Sequence, residues 1–168
     1  TRKAESLEID VLSPDKFREL INFPDINTEN GLRHRVILTL LYDSGCRVQE
    51  LCDMAIRDIQ NGDNPTVRLH VKGNKYRTVV IARNTAKLVS EYIKRQRRTV
   101  SIDQPLVVNQ RQAKLSRAGV NYIIRKYVHE IRWIDKSFTE IHEHDFRHSK
   151  PMHRLGAGLN IVNSRHFL

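Results

Sequence analysis

The segment over residues 32–42 is the strongest constraint on how this chain can fold. Val36, Ile37, Leu38, Leu40, Leu41 and Tyr42 follow one another with little polar interruption, and Asp43-Ser44-Gly45 ends the run abruptly. A run this long is a helix rather than a strand, and a helix that is apolar on most of its faces belongs in the interior. The expectation is a largely buried helix over residues 32–42. A short second helix should begin near Cys46, with Arg47 in its first turn and Val48, Leu51 and Cys52 inward.

The flanking chain supplies helices and strands to pack round it. Ser13-Pro14-Asp15-Lys16 is a helix start, with Ser as N-cap, Pro at the first helical position and Asp in the first turn. Phe17, Leu20 and Ile21 then share a face, and residues 24–31 read as a polar connection. Residues 56–59, 66–71 and 76–81 read as short strands. Asn61-Gly62-Asp63-Asn64 and Lys72-Gly73-Asn74-Lys75 are the turns of an antiparallel meander. Residues 85–98 form an amphipathic helix ending in Lys94-Arg95-Gln96-Arg97-Arg98, expected as a solvated helix end because helix C-termini favour cations. Residues 106–108 suggest one more short strand. Ser116 caps a helix carrying Val120, Ile123, Ile124, Tyr127 and Val128, and a last helix starts at about Asp145. The fold class is α+β, mainly helical, with a small antiparallel three-stranded sheet.

At 168 residues with 39% hydrophobic residues, the chain suits one compact domain with a core. Its net charge of +10 calls for a polyanionic partner. No long apolar run and no signal-peptide pattern are present, so no membrane association is expected. Cys46 and Cys52 read as reduced thiols of a cytoplasmic protein. Thr1 opens the chain without Met, and Leu168 closes it without capping or turn chemistry, so the expectation is an excised piece.

Chemistry concentrates in three stretches. His142-Glu143-His144-Asp145-Phe146-Arg147-His148 packs imidazoles, carboxylates and a guanidinium into seven residues. Leu40-Leu41-Tyr42-Asp43-Ser44-Gly45-Cys46-Arg47-Val48-Gln49-Glu50-Leu51 and Val71-Lys72-Gly73-Asn74-Lys75-Tyr76-Arg77-Thr78-Val79-Val80 are expected to meet it. Two arginines, a lysine and a histidine at one point describe a phosphate site that also moves protons. A cation in the first turn of a helix is unfavourable unless an anion sits there too.

These motifs resemble those of the tyrosine recombinases, the phage integrase family, and the chain is similar to that family's catalytic domain over nearly its whole length. "LLYDSGCRVQEL" looks like the first-arginine box, "VKGNKYRTVVI" like the hairpin lysine motif and "HDFRH" like the H-x-x-R box. The resemblance implies catalytic Arg47, Lys72, His144 and Arg147, with Glu50 in support. His148 is expected as a hydrogen-bonding residue behind the site, and Lys75, Arg77, Lys114 and Arg117 as further DNA contacts. Two guanidiniums can grip the non-bridging oxygens of a pentavalent phosphorus bidentately. Lys72 would protonate the leaving oxygen and His144 would take the proton of the attacking phenol. A phosphotyrosine conserves the bond energy, so neither ATP nor another cofactor is needed, and the arginines stand in for a metal. The implied partner is double-stranded DNA, with a tetramer on DNA in the full-length protein and no small-molecule substrate.

Family members continue past the H-x-x-R helix to a nucleophilic tyrosine, whereas the 5 tyrosines here all precede that box. The expectation is therefore a single catalytic domain over residues 1–168, cut before the nucleophile and lacking the family's N-terminal DNA-clamping domain. Ser149-Lys150-Pro151 also departs from the usual Thr-Phe-Ala-like run. Two other functions compete. A DNA-binding module without catalysis would not need the whole Arg, Lys, His and Arg set. A metal-dependent nuclease could draw on His144 and His148, four apart on a helix, but Arg147 between them would repel a cation.

Overall fold

Every residue from Gly31 to Ser44 is buried, and the fold is laid round this helix. The computed structural model describes residues 13–147. In order these form α1 (Pro14–Asn22), α2 (Glu29–Ser44), α3 (Val48–Cys52), a 3-10 turn (Ile56–Asp58), β1 (Ile59–Gln60), β2 (Thr66–Val71), β3 (Lys75–Val80), α4 (Arg83–Gln96) and α5 (Arg117–Ile134). A last helical turn, α6, covers residues 143–147.

Local chemistry accounts for the helix ends. Ser13 and Ser116 cap α1 and α5 with their hydroxyls, as their positions before apolar runs require. α2 begins at Glu29, three residues earlier than expected, because Thr28 Oγ1 accepts the Gly31 N–H at 2.9 Å. Gly31 is needed there: a Cβ would lie 1.8 Å from the Asp25 carbonyl oxygen. From Gly31 onward the polar residues of α2 are buried with it. Arg35 Nη2 donates to the carbonyls of Asn22 at 2.6 Å and Pro24 at 2.7 Å, which closes the connection from α1.

α2 packs against α1, α3, α4 and α5. Val67 and Leu69 of β2 point into the same core, whereas Arg68 and His70 point away from it. The sheet has the order β1-β2-β3, antiparallel throughout, with Leu69 opposite Arg77 and Val71 opposite Lys75. β3 is a largely exposed edge.

Three expectations are corrected. Residues 56–59 are mostly a 3-10 turn, because the Asp58 carboxylate reaches back to the Ala55 N–H at 2.8 Å and tightens the chain. Residues 106–108 form no strand: Val108 makes an isolated bridge with Lys114, and Leu106 and Val107 serve as core. The basic end of α4 is not uniformly solvated, since Arg97 is buried and donates to the Pro105 carbonyl at 2.7 Å. Cys46 and Cys52 are free and buried, and burial pushes each thiol up to about 11. Among the described residues, no helix is long and apolar enough to cross a membrane.

Candidate active site

Gly45 ends α2 with φ 65°, a conformation that glycine enters without strain. The chain reverses, Cys46 enters the core, and Arg47 is left exposed at the N-cap of α3. Arg47 is therefore one position before the first turn, where it had been expected. Glu50 secures this arrangement. Its buried carboxylate accepts the Arg47 backbone N–H at 2.7 Å, half of a capping box.

The second arginine arrives from the far end of the described chain. Phe146 is fully buried, edge-on to Phe17 with ring centroids 5.1 Å apart. That anchor pins α6 and leaves the next residue, Arg147, at the surface. Arg147 Nε donates to the Gly45 carbonyl at 3.2 Å, two residues from Arg47. α6 starts with the device seen at Arg47: Asp145 Oδ2 accepts the His142 N–H at 2.7 Å.

The hairpin supplies the third component. Lys72-Gly73-Asn74 is its turn, with Gly73 at φ 83° and Asn74 at φ 59°. Lys72 is exposed at this tip, and Lys75 opens β3. Arg77 Nη2 donates to Glu50 Oε1 at 3.4 Å, so the hairpin is tied to the carboxylate that caps α3. Sequence reasoning treated Arg77 as a DNA contact and missed this link. The acid three residues after Arg47 was the available signal for the cap, but no local pattern announces the arginine on β3. A second missed tie joins Asp43 Oδ2 to the Ala82 N–H at 2.7 Å, which holds the end of α2 against the start of α4.

Arg47, Glu50, Arg77 and Arg147 thus belong to one bonded group round the turn at residues 45–47. Lys72 stands apart from it at the hairpin tip. His144 is 67% exposed in its side chain, stacks on His142 with centroids 5.9 Å apart, and lies 3.7 Å from Asp145 Oδ1. It lines a recess of about 390 Å³ with Ala118, Asn121 and Arg125 of α5. Lys114 pairs with Asp53, and Arg117 is exposed at the start of α5. His148 and Ser149-Lys150-Pro151 lie outside the described residues. Two exposed guanidiniums flanking one backbone turn can take the non-bridging oxygens of a phosphate, and Glu50 is the one acid within the bonded group. Among the described residues, no three His, Cys, Asp or Glu side chains gather closely enough to hold a metal ion.

The chain matches the phage integrase family over residues 10–164. It is 35% identical over 150 residues to tyrosine recombinase XerC of Pelobacter propionicus, covering 89% of this chain and 48% of that protein. Tyrosine recombinase XerD of Staphylococcus epidermidis is 34% identical over 164 residues, covering 96% of this chain and 54% of that protein. The chain therefore spans about half the length of the curated relatives it matches. Among solved structures, XerA recombinase superposes with a TM-score of 0.72 at 21% identity, over 92% of this chain and 56% of that one. XerH recombinase in a post-cleavage complex with its palindromic difH substrate gives 0.71 at 19% identity, over 94% of this chain and 45% of that one. These two superpositions share the fold: helices with a small antiparallel sheet.

Proposed function

Since the chain belongs to the phage integrase family, we propose that it is the catalytic domain of a site-specific DNA recombinase that cuts and rejoins duplex DNA through a 3′-phosphotyrosine. The observation that carries this reading is the Arg147 contact with Gly45, which sets two arginines at one turn. Arg47 and Arg147 hold the scissile phosphate and stabilise the charge that grows on its non-bridging oxygens. Glu50 keeps the Arg47 backbone in place. Lys72 reaches the leaving 5′-oxygen from the hairpin tip and protonates it as a bound DNA strand draws the hairpin inward. His144 accepts the proton of the attacking phenol. Lys75 and Arg117 contact phosphates beside the cut, and the full-length protein assembles as a tetramer on DNA.

The nucleophile is none of the five tyrosines of this chain. Tyr42 is buried, the Tyr92 hydroxyl is bonded to the Leu106 carbonyl, and the Tyr127 hydroxyl to His34. Tyr76, 51% exposed, is held between the His70 ring and the Arg68 guanidinium. Tyr122 sits on α5 and lines another cavity than the recess beside His144.

The test is a duplex nicked near the scissile phosphate, incubated with the full-length protein and run on a denaturing gel. A shifted protein–DNA band is expected. It should vanish with Arg47→Ala or Arg147→Ala, survive EDTA, and persist with Tyr76→Phe and Tyr122→Phe. A band that needs a divalent metal, or that survives loss of both arginines, overturns the reading.

A further inference from the structure

A cavity of about 460 Å³ opens between the first turns of α2, the loop before α5 and one side of α5. Arg33, Arg111 and Lys126 line it, and none of its lining residues is acidic. Asn30 and Asn109 add amides, and Tyr122, 62% exposed, adds an aromatic face.

Arg33 is the unusual member. It is only 5% exposed, yet among the described residues no carboxylate lies within ion-pair distance of it. Glu29, one turn earlier, contributes a longer-range attraction only. Arg33 Nη2 donates to Asn30 Oδ1 at 3.0 Å and lies 3.5 Å from His34 Nε2, while its Nε has no partner. Buried charges are ordinarily paired, because an uncompensated one is costly to desolvate. Lys126, with its ammonium 4.7 Å from the Tyr127 ring centroid, puts a second cation at the same wall. Burial first, then these two cations, hold His34 neutral and push it down to about 4. The cavity thus concentrates positive charge in a site that carries no counter-charge of its own.

We infer that this cavity binds a small phosphate-bearing anion, its phosphate facing Arg33, Arg111 and Lys126 and any attached ring lying on Tyr122. The size suits a ligand of mononucleotide scale. The site is separate from the candidate active site. It shares no lining residue with the recess beside His144, which Ala118, Asn121 and Arg125 line. Free phosphate and a nucleotide present the same group to Arg33 and differ only in what reaches Tyr122.

The experiment labels the histidines of the chain and follows the His34 imidazole by NMR during titration with inorganic phosphate and with AMP at low salt. His34 should shift and saturate. The midpoint should weaken roughly tenfold or more in Arg33→Met and in Lys126→Met, and stay unchanged in Arg147→Ala. Tighter binding of AMP, with the advantage lost in Tyr122→Ala, identifies a nucleotide; equal midpoints identify the phosphate group alone as the ligand. Should Arg33→Met not fold, Lys126→Met decides. His34 resonances unmoved up to roughly 10 mM of either probe, or moving alike in wild type and Lys126→Met, overturn the inference.

Discussion

Glu50 carries more at the residue scale than its place beside Arg47 suggests. One oxygen of its buried carboxylate serves both the Arg47 N–H and the Arg77 guanidinium. Glu50→Ala should cost about 1–2 kcal/mol through the lost cap and the stranded N–H, read as a lower urea midpoint at unchanged slope. Arg77→Ala should cost less than about 1 kcal/mol, because Arg77 is nearly half exposed and water can replace its partner. Equal losses in the two variants would mean that the ion pair, not the cap, carries the effect. His34 gives the fold a pH dependence. Its folded value near 4 lies below the ordinary 6.5, so the unfolded chain binds more protons between those values. Stability should therefore fall as pH drops from about 6.5 towards 4, by roughly 2–3 kcal/mol at most from this group. Denaturation midpoints in His34→Gln should be flatter across that window. An acid limb identical to wild type would show that the Arg33, Lys126 and Tyr127 surroundings do not hold His34 neutral.

One device recurs at the scale of elements. An acid three residues on reaches back to a backbone N–H at Arg47, at Ala55 and at His142, and each time starts a short helical turn. The middle case also anchors the hairpin. The fully buried Asp58 carboxylate meets Arg68 at 3.1 Å and His70 at 2.9 Å on β2. Asp58→Ala should cost roughly 2–3 kcal/mol. That is below the loss from breaking a wholly buried pair, because the Arg68 side chain is 37% exposed and can be rehydrated. Hydrogen exchange at β2 and β3 should quicken with it; unaltered protection there would show that the core alone holds the sheet. At the other end of the fold, Gly31→Ala should cost about 1–3 kcal/mol, since the new methyl must displace the Asp25 carbonyl from α2.

The net charge of +10 sets behaviour at the scale of the whole molecule. The chain alone should bind duplex DNA with little sequence preference, at ~10⁻⁴ to 10⁻⁶ M near physiological salt, weakening steeply as salt rises. Lys75→Ala should reduce the slope of log affinity against log salt by about one. Lys114→Ala should change it less, because Asp53 already neutralises that ammonium. Affinity constant between low and moderate salt would refute an electrostatic interface.

Much of the secondary structure was legible in the sequence because its causes are local. Ser13 and Ser116 announce helix starts, Gly45 a helix stop, and Lys72-Gly73-Asn74 a hairpin turn; each rule needs only neighbouring residues. The apolar run of α2 also fixed which helix lies at the centre. What packing decides was not legible. Arg33, Arg35 and Arg97 look solvated by composition, yet all three are buried, because elements far along the chain close over them. The strand expected at residues 56–59 gave way to a turn because Asp58 found the Ala55 N–H nearer than a partner strand. The links that assemble the candidate site, Arg77 to Glu50 and Arg147 to Gly45, join residues 27 and 102 positions apart. Periodicity and capping rules reach only a few residues along the chain, so they determined the elements; the family resemblance alone pointed Arg47 and Arg147 to one place, and tertiary packing decided the contacts that join the charges there.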